Sequence, residues 1–157
     1  MTAGVYNDPS SFAITGTLTL DAQGNAAAVW IFQAGSTLIT TALSTTSNSQ
    51  VVLINGALAA NVFWQVGSSA TLGDHSSIVG SILANESITL VTGATVVGRL
   101  LALNGVVSLD ANDVFLPGAV PEPAEMSLLV AGLVGVIIAG RRIRQRHPDH
   151  ADRPMTG

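Results

Sequence analysis

Two segments in the second half of the chain decide the fold: GSILANESITL at residues 80–90 and GRLLALNGVVSL at residues 98–109. Their first five residues match at an offset of 18, because Gly80 corresponds to Gly98. A three-residue pattern also recurs at steps of 18 and 19, in Ala70-Thr71-Leu72, Ile88-Thr89-Leu90 and Val107-Ser108-Leu109. Self-similarity at a short, nearly fixed period is typical of solenoids.

A coil of about 18 residues gives three sides of about six residues each, and it predicts short strands that stack about 4.8 Å apart. In each three-residue unit the outer residues are apolar and the middle one is a hydroxyl, so the period of two places the hydroxyl outside. An earlier repeat relates residues 31–35 to residues 63–67 at an offset of 32. Turn residues separate the predicted strands, at Gly16, 21–25, Asn55-Gly56, Gly67, Gly73-Asp74, Thr92-Gly93 and Asn104-Gly105. We therefore predict an all-β, three-sided solenoid over residues 10–115, with no helix longer than two turns.

The composition excludes several classes of function. Apolar residues make up 48% of the chain and aromatic residues only 4%, which predicts a core built mainly from aliphatic side chains. Residues 1–119 contain six acidic residues and one basic residue, Arg99, a net charge of −5 (1 minus 6). A nucleic-acid partner needs a basic surface, so we expect none. The chain lacks cysteine and therefore has no disulfide or thiolate metal site. We expect no cofactor, no metal and no enzyme activity.

The C-terminal region has a different character. Residues 117–123 form a predicted linker that contains Pro121, Glu122 and Pro123. Residues 124–146 contain an uncharged apolar run over residues 126–140, followed by a basic cluster of Arg141, Arg142 and Arg144. A helix of that length spans about 22 Å, less than the ~30 Å hydrocarbon core, so length alone leaves a buried core helix open. The basic cluster instead favours a stop-transfer helix whose basic end is cytoplasmic. We predict one helix from Met126 to about Ile143 that stays outside the solenoid core, and a disordered tail over residues 147–157.

The order of these elements resembles the PEP-CTERM sorting signal of Gram-negative bacteria, over residues 120–146. The resemblance implies export, anchoring in the membrane through the helix, and recognition by a membrane-embedded exosortase as a partner. It also implies cleavage near residues 121–123, followed by release of the N-terminal domain or its display at the cell surface.

Residues 1–116 resemble part of a second family. The segments that carry the resemblance are 4–6, 28–33, 61–67, 92–94 and 98–102. They are similar to the ice-binding-protein-like β-helix family of bacteria and fungi. The resemblance implies a right-handed, discontinuous β-helix of triangular section, a long α-helix along one side, and adsorption to ice through one flat β face.

Two parts that this resemblance leads us to expect have no counterpart in the sequence. One is the N-terminal segment that supplies the long helix in the family. The other is a secretory signal peptide, because residues 1–4 have neither a basic nor an apolar region of the required kind. We therefore expect a truncated gene product or a misplaced start.

The hydroxyls on the predicted outer surface are the candidate ice-contacting groups. A flat, uncharged surface orders water without holding a tight hydration shell of its own. We predict ice contacts at the following residues: Ser69, Thr71, Ser87, Thr89, Thr92, Thr95 and Ser108. Thr92 and Thr95 are included because residues 92–95 resemble the family's Thr-Ala/Gly-x-Thr/Asn segments, although a plain turn is an alternative there. Ordinary outward strand residues remain the alternative for the others. Glu86 stands where a threonine is expected.

The second functional hypothesis is a cell-surface adhesin or biofilm-matrix protein that binds polysaccharide or protein. A groove lined with aromatic rings would favour sugar, and a flat array of hydroxyls would favour ice. The aromatic candidates are Trp30, Phe32, Phe63 and Trp64, all of which we expect in the core because they lie in dense apolar strands.

A third hypothesis, a carbohydrate-active enzyme, requires a carboxylate cluster that the sequence does not contain. Asp110 and Asp113 lie at a predicted turn without a basic partner. Asp74 and His75 would supply half of a metal or catalytic site, but no second histidine lies in the body of the chain. We expect structural roles for these residues.

Overall fold

The computed structural model describes residues 1–41 and 48–118, which form a stack of five coils with three strands each. The first coil contains β1 (Gly4–Asp8), β2 (Phe12–Thr15) and β3 (Thr17–Asp21). The second contains β4 (Trp30–Ala34), β5 (Leu38–Thr41) and β6 (Gln50–Ile54), and the third contains β7 (Val62–Val66), β8 (Ala70–Leu72) and β9 (Ser77–Val79). The fourth contains β10 (Ser81–Ala84), β11 (Ile88–Leu90) and β12 (Thr95–Val97), and the fifth contains β13 (Leu100–Ala102), β14 (Val107–Ser108) and β15 (Asp113–Phe115). The one helical element in these ranges is a 3-10 turn at Ala59–Asn61.

Corresponding strands of successive coils pair in parallel and form three five-stranded sheets. Sheet A contains β1, β4, β7, β10 and β13; sheet B contains β2, β5, β8, β11 and β14; sheet C contains β3, β6, β9, β12 and β15. The repeats in the sequence are the stacking registers: Ile31 pairs with Phe63, Ile82 with Leu100, and Thr71 with Thr89. The predicted all-β fold of stacked short strands, and the absence of a long helix, are therefore confirmed for the described part of residues 10–115.

The core is the inside of the solenoid, where alternate residues of all three sheets meet. The patterns of β8 and β11 are buried, exposed, buried, as the hydroxyl pattern of the sequence predicted. The largest fully buried side chains, however, are Trp30, Trp64 and Phe32. The rings of Tyr6, Phe32 and Trp64 stack in a column, with centroids 5.3 and 4.2 Å apart. All the other buried apolar side chains are aliphatic, so the expectation of a mainly aliphatic core is confirmed for the described residues.

Phe63 is a correction to the aromatic assignments. Its neighbour Trp64 is 1% exposed and points inward, where its Nε1 donates a hydrogen bond to the Val79 carbonyl at 2.9 Å. Successive strand residues point to opposite faces, so Phe63 points outward from sheet A and is half-buried. The prediction of core packing is confirmed for Trp30, Phe32 and Trp64 and is wrong for Phe63.

The corners of the coils bring backbones very close together, and glycine is required where they do. A Cβ at Gly98 would lie 1.8 Å from the carbonyl oxygen of Gly80. At the corner between sheets B and C, Gly93 has φ +71° and a Cβ there would be 2.9 Å from the His75 ring. His75 Nδ1 is 3.0 Å from Asp74 Oδ1, and both side chains are exposed. The described residues contain no group of three or more His, Cys, Asp or Glu side chains able to hold a metal.

Several predictions for the C-terminal region lie outside the described residues. They are the Pro121-Glu122-Pro123 motif, the helix from Met126 to about Ile143, the arginine cluster and the disordered tail. Residues Met1–Gly118 form a compact unit of their own. Within the described ranges, no helix is long and apolar enough to cross a membrane.

Candidate functional site

The outer face of sheet B carries a central column of uncharged side chains, one from each coil. The register places Ala13 beside Ile39, Ile39 beside Thr71, Thr71 beside Thr89, and Thr89 beside Ser108. The last three are exposed hydroxyls in three consecutive coils. Their hydroxyl groups make no hydrogen bond to any other described residue, so they remain available to water. This column brings together three of the predicted site residues.

Two further hydroxyls extend this face in the first two coils. Thr15 and Thr41 are paired neighbours at the ends of β2 and β5, and both are exposed. Their Oγ1 atoms are 3.1 Å apart. Sequence reasoning missed both residues because the first two coils are related by an offset of 26, not 18. The signal that would have found them is the likeness of Phe12-Ala13-Ile14-Thr15 to Leu38-Ile39-Thr40-Thr41.

A second set of hydroxyls, Ser11, Thr37, Ser69 and Ser87, lies one step earlier, at the corner between sheets A and B. We call this set the corner column. Its members are half-buried. Ser87 Oγ accepts a hydrogen bond from the Val106 N–H at 3.2 Å, and Ser69 Oγ accepts one from the Ser87 N–H at 3.4 Å. Thr37 Oγ1 donates to Ser11 Oγ at 2.8 Å. The corner column therefore joins successive coils, and its hydroxyls are already engaged within the protein.

The structure does not place Thr92 and Thr95 with the other predicted site residues. Thr95 belongs to β12 in sheet C, where it lies between Ser77 and Asp113. Thr92 lies in the turn between sheets B and C, and its hydroxyl donates to Asp110 Oδ2 at 2.7 Å. The reason is geometric: the segment from Thr92 to Thr95 turns the corner of the coil, so its two hydroxyls do not share the face of Thr89.

The outer face of sheet B is uncharged, because none of its five strands contains an acidic or basic residue. Charges lie only at its margins. Glu86 is at the corner with sheet A, and its Oε2 atom is 3.4 Å from Ser69 Oγ. Asp110 is at the corner with sheet C, where its Oδ2 atom accepts a hydrogen bond from the Thr92 hydroxyl. Neighbouring strands are linked along the whole sheet, so the central column is held on a continuous hydrogen-bonded backbone.

Sheet A has an outer face of different chemistry. An amide ladder crosses it, in which Asn7 Nδ2 donates to Gln33 Oε1 at 3.5 Å and Gln33 Nε2 donates to Gln65 Oε1 at 2.9 Å. Leu83 and Leu101 continue this line in the next two coils. A groove of about 580 Å³ is lined by Gln65, Val66, Gly67, Leu83, Ala84, Asn85, Leu101, Ala102 and Leu103. No aromatic ring lines this groove, and three of the four aromatic candidates are buried, so they do not form a sugar-stacking platform.

Sheet C is less regular than the other two. Between β6 and β9 the strands share one paired position, Gln50 with Ser77. Its outer surface also ends on an exposed acidic residue, Asp113, beside Thr95. Of the three outer faces, that of sheet B alone combines small hydroxyls, continuous pairing and an absence of charge.

Solved ice-binding proteins share this architecture. The structure of an ice-binding protein from the Antarctic ascomycete Antarctomyces psychrotrophicus superimposes with a TM-score of 0.69 at 44% sequence identity, covering 76% of this chain and 56% of that one. The structure of an ice-binding protein from an Antarctic Flavobacteriaceae bacterium gives a TM-score of 0.71 at 35% identity, covering 78% of this chain and 28% of that one. The all-β fold of parallel sheets is therefore that of solved ice-binding β-helices.

Curated sequences point the same way. The ice-binding protein of Nostoc sp. (strain HG1) is 45% identical in an alignment of 152 positions that covers 90% of this chain and 54% of the relative. Ice-binding protein 1 of Shewanella frigidimarina is 38% identical over 115 residues, 73% of this chain and 12% of the relative. The chain thus spans about half the length of the Nostoc relative, and a smaller part of the Shewanella one.

The sequence profile of the family described as Ice-binding-like matches residues 1–115. This match covers nearly all of the residues that form the five coils. With the fold, the similar solved structures and the relatives in agreement, the chain belongs to the ice-binding-like family.

Proposed function

We propose that this protein binds ice, and that the outer face of sheet B makes the contact. The observation that carries the proposal is the central column, where Thr71, Thr89 and Ser108 present unengaged hydroxyls from three successive coils. Parallel strands stack about 4.8 Å apart, so these groups form a regular array that the backbone fixes in place. The similar proteins are themselves named ice-binding proteins.

The side chains of this column suit a surface that orders water. A threonine offers a methyl group, which shapes a cage of water, and a hydroxyl, which anchors it. An ionised group keeps a strongly bound hydration shell and is costly to desolvate. Thr15 and Thr41 add two exposed hydroxyls to the same face. Ser69 and Ser87 support the face from the corner column, and ice contacts at Thr92 and Thr95 stay predictions for groups outside it.

The proposal is tested by placing a long charged side chain at the centre of the face. In Thr89→Lys, the lysine lies between Thr71 and Ser108 and blocks the column. We expect the affinity of the full chain for ice to fall at least about tenfold, equivalent to about 1.4 kcal/mol. The matched control is Ser77→Lys, at an exposed outward position in the middle of sheet C.

The readouts are the fraction of protein taken up by slowly growing ice, the shape of the ice crystals, and circular dichroism. Both variants should retain the wild-type spectrum, because outward lysines reach water and change stability by about 0.5 kcal/mol or less. Equal ice uptake by Thr89→Lys and the wild type would place the contact surface elsewhere. Equal loss in both variants would argue against a contact confined to sheet B.

We also propose that residues 120–146 act as a sorting signal read by an exosortase, with transient anchoring in the membrane before the solenoid reaches the cell surface or is secreted. Support comes from the order of the Pro121-Glu122-Pro123 motif, the apolar run and the arginine cluster. The match to the Nostoc relative covers 90% of 157 residues, about 141, so it extends beyond residue 118. In a Gram-negative host with an exosortase, we expect mass spectrometry to find cleavage near residues 121–123. Replacement of Arg141, Arg142 and Arg144 by serine should prevent that cleavage, and unchanged processing would contradict the proposal.

A further inference from the structure

Glu86 breaks a pattern of small residues at the corner between sheets A and B. The backbone stacks one residue from each of the first four coils there. Glu86 N–H donates to the Ser68 carbonyl at 2.9 Å, Ser68 N–H to the Ser36 carbonyl at 2.8 Å, and Ser36 N–H to the Ser10 carbonyl at 2.7 Å. Three of these four stacked residues are serines and the fourth is a glutamate. The ionised side chain is therefore an exception at this corner and not a requirement of its backbone geometry.

The carboxylate of Glu86 extends towards the candidate ice-contacting face. Ser69 Oγ donates a hydrogen bond to Glu86 Oε2 at 3.4 Å, and the same oxygen of Ser69 accepts the Ser87 N–H. Ser69 is two residues before Thr71 of the central column, in the adjacent coil. Glu86 thus reaches across a coil boundary and lies beside the margin of sheet B.

No basic group neutralises this carboxylate within the part of the chain that the structure describes. The one ion pair in those ranges joins Asp74 and His75, at the opposite corner of the coil. Glu86 is exposed, and an ionised carboxylate in water holds a strongly bound hydration shell. If the contact with ice extended from Thr71 and Thr89 to Ser69, it would have to displace the water bound to the Glu86 carboxylate. Removing water from an unpaired carboxylate is costly in free energy.

We propose that Glu86 limits the ice-contacting face at the corner between sheets A and B and lowers its affinity for ice. This inference rests on the proposed function of sheet B and names the residue that sets one boundary of its contact surface. Replacing Glu86 by serine, the residue of the other stacked positions, extends the uncharged surface to Ser69 and Ser87.

The test uses the full chain and three variants. Glu86→Ser removes both charge and length, and Glu86→Gln removes the charge while keeping the size. Asp113→Asn removes one negative charge from an exposed position on sheet C and is the matched control. Ice uptake is measured at a protein concentration that half-saturates the wild-type response. We expect both Glu86 variants to raise the affinity roughly three- to tenfold, and Asp113→Asn to stay within about twofold of the wild type.

The outcomes separate this inference from the proposed function. Unchanged affinity in Glu86→Ser and Glu86→Gln, together with a loss in Thr89→Lys, overturns the role of Glu86 and leaves the face intact. A gain in affinity in Glu86→Ser but not in Glu86→Gln assigns the effect to side-chain size and overturns the role of the Glu86 charge. An equal gain in Asp113→Asn assigns the effect to the net charge of the protein and also overturns a role for Glu86 in particular. If the wild type binds no better than Thr89→Lys, the proposed function fails for the native chain. In that case, appearance of ice uptake in both Glu86 variants still supports the inference, and its absence overturns it.

Discussion

The outer faces of sheets A and B have the same backbone and opposite chemistry. Each belongs to a five-stranded parallel sheet made from the same five coils. Sheet A presents Phe63, Leu83 and Leu101 beside an amide ladder, whereas sheet B presents Thr71 and Thr89 with no charge between its corners. Leu83 and Leu101 are 44% and 48% exposed, which is a large apolar exposure for neighbouring residues.

The comparison shows how a solenoid separates fold from function. Nearly all inward residues of both sheets are apolar and specify the coil, with Thr40 as a buried polar exception in sheet B. The outward residues are therefore free to differ from sheet to sheet. Side-chain size and hydration then determine what each face contacts. Contiguous apolar surface such as that of sheet A is typical of a face that packs against another protein surface, whereas small unengaged hydroxyls leave sheet B facing ordered water.

The largest effect that we predict concerns the inner and outer sides of sheet A. Trp64→Ala should lower the free energy of unfolding by about 3–5 kcal/mol, because it removes a buried ring that stacks on Phe32 and leaves a cavity. Its sequence neighbour Phe63 points outward, so Phe63→Ala should cost less than about 1 kcal/mol. Urea unfolding of residues 1–118 followed by circular dichroism measures both values. Similar losses in the two variants would show that the inward and outward assignments are wrong.

That pair of residues also shows how far the sequence predicts the fold. The offsets of 18 and 32 predicted the true stacking registers, because every coil repeats the same inward pattern. The prediction that Phe63 lies in the core is wrong, since residues 62–64 are all apolar and a run of apolar residues carries no alternation. Only pairing with the neighbouring coils, which sets Trp64 beside Phe32, fixes the orientation.

The candidate site could be predicted in part. The Thr71, Thr89 and Ser108 column follows from the pattern of apolar, hydroxyl and apolar residues. The sequence does not predict that the hydroxyls of Ser69 and Ser87 are hydrogen-bonded within the protein, because the N–H groups that bond to them belong to the following coil. The resemblance of residues 92–95 to the family's Thr-Ala/Gly-x-Thr/Asn segments groups Thr95 with Thr92, but a coil corner separates their side chains onto different surfaces. Three-dimensional distances across a corner have no simple signal in the sequence.

The second prediction addresses the apolar surface of sheet A. Residues 1–118 should self-associate through it, and the double change Leu83→Gln with Leu101→Gln should weaken that association at least about fivefold, equivalent to about 1 kcal/mol. Leu103, 77% exposed in the same groove, adds to the surface. The control is Thr71→Gln with Thr89→Gln on sheet B, which should leave association unchanged. Sedimentation velocity over a range of concentrations gives the comparison, and an equal response in both double variants would remove the distinction between the two faces.

The third prediction separates the corner column from the central column within sheet B. Ser87→Ala should lower the free energy of unfolding by about 1 kcal/mol, because the Val106 N–H loses its acceptor. Thr89→Ala should change it by about 0.5 kcal/mol or less, because its hydroxyl bonds to no other described residue. Ice uptake should respond in the opposite order, with the larger loss in Thr89→Ala. A larger stability loss in Thr89→Ala would contradict the division of the hydroxyls into engaged and available groups.

The smallest effect concerns a charge that lies away from both faces. Asp21 ends β3 in sheet C, and its pKa is lowered from its ordinary value of 3.8, first by the hydrogen bond from the Gln23 N–H and then by the one from the Asn55 side chain. A lowered folded pKa means that the ionised carboxylate stabilises the fold. This contribution is fully present above the ordinary pKa and is lost as the pH falls through the lowered one. The stability difference between the wild type and Asp21→Asn, measured by urea unfolding, should therefore shrink as the pH decreases below about 3.8. Ice uptake of Asp21→Asn at neutral pH should equal that of the wild type, because this carboxylate holds a turn and does not border sheet B. A rise in ice uptake like that expected for Glu86→Gln would mean that removal of any negative charge from the protein increases binding to ice. The position of Glu86 at the margin of sheet B would then have no special role.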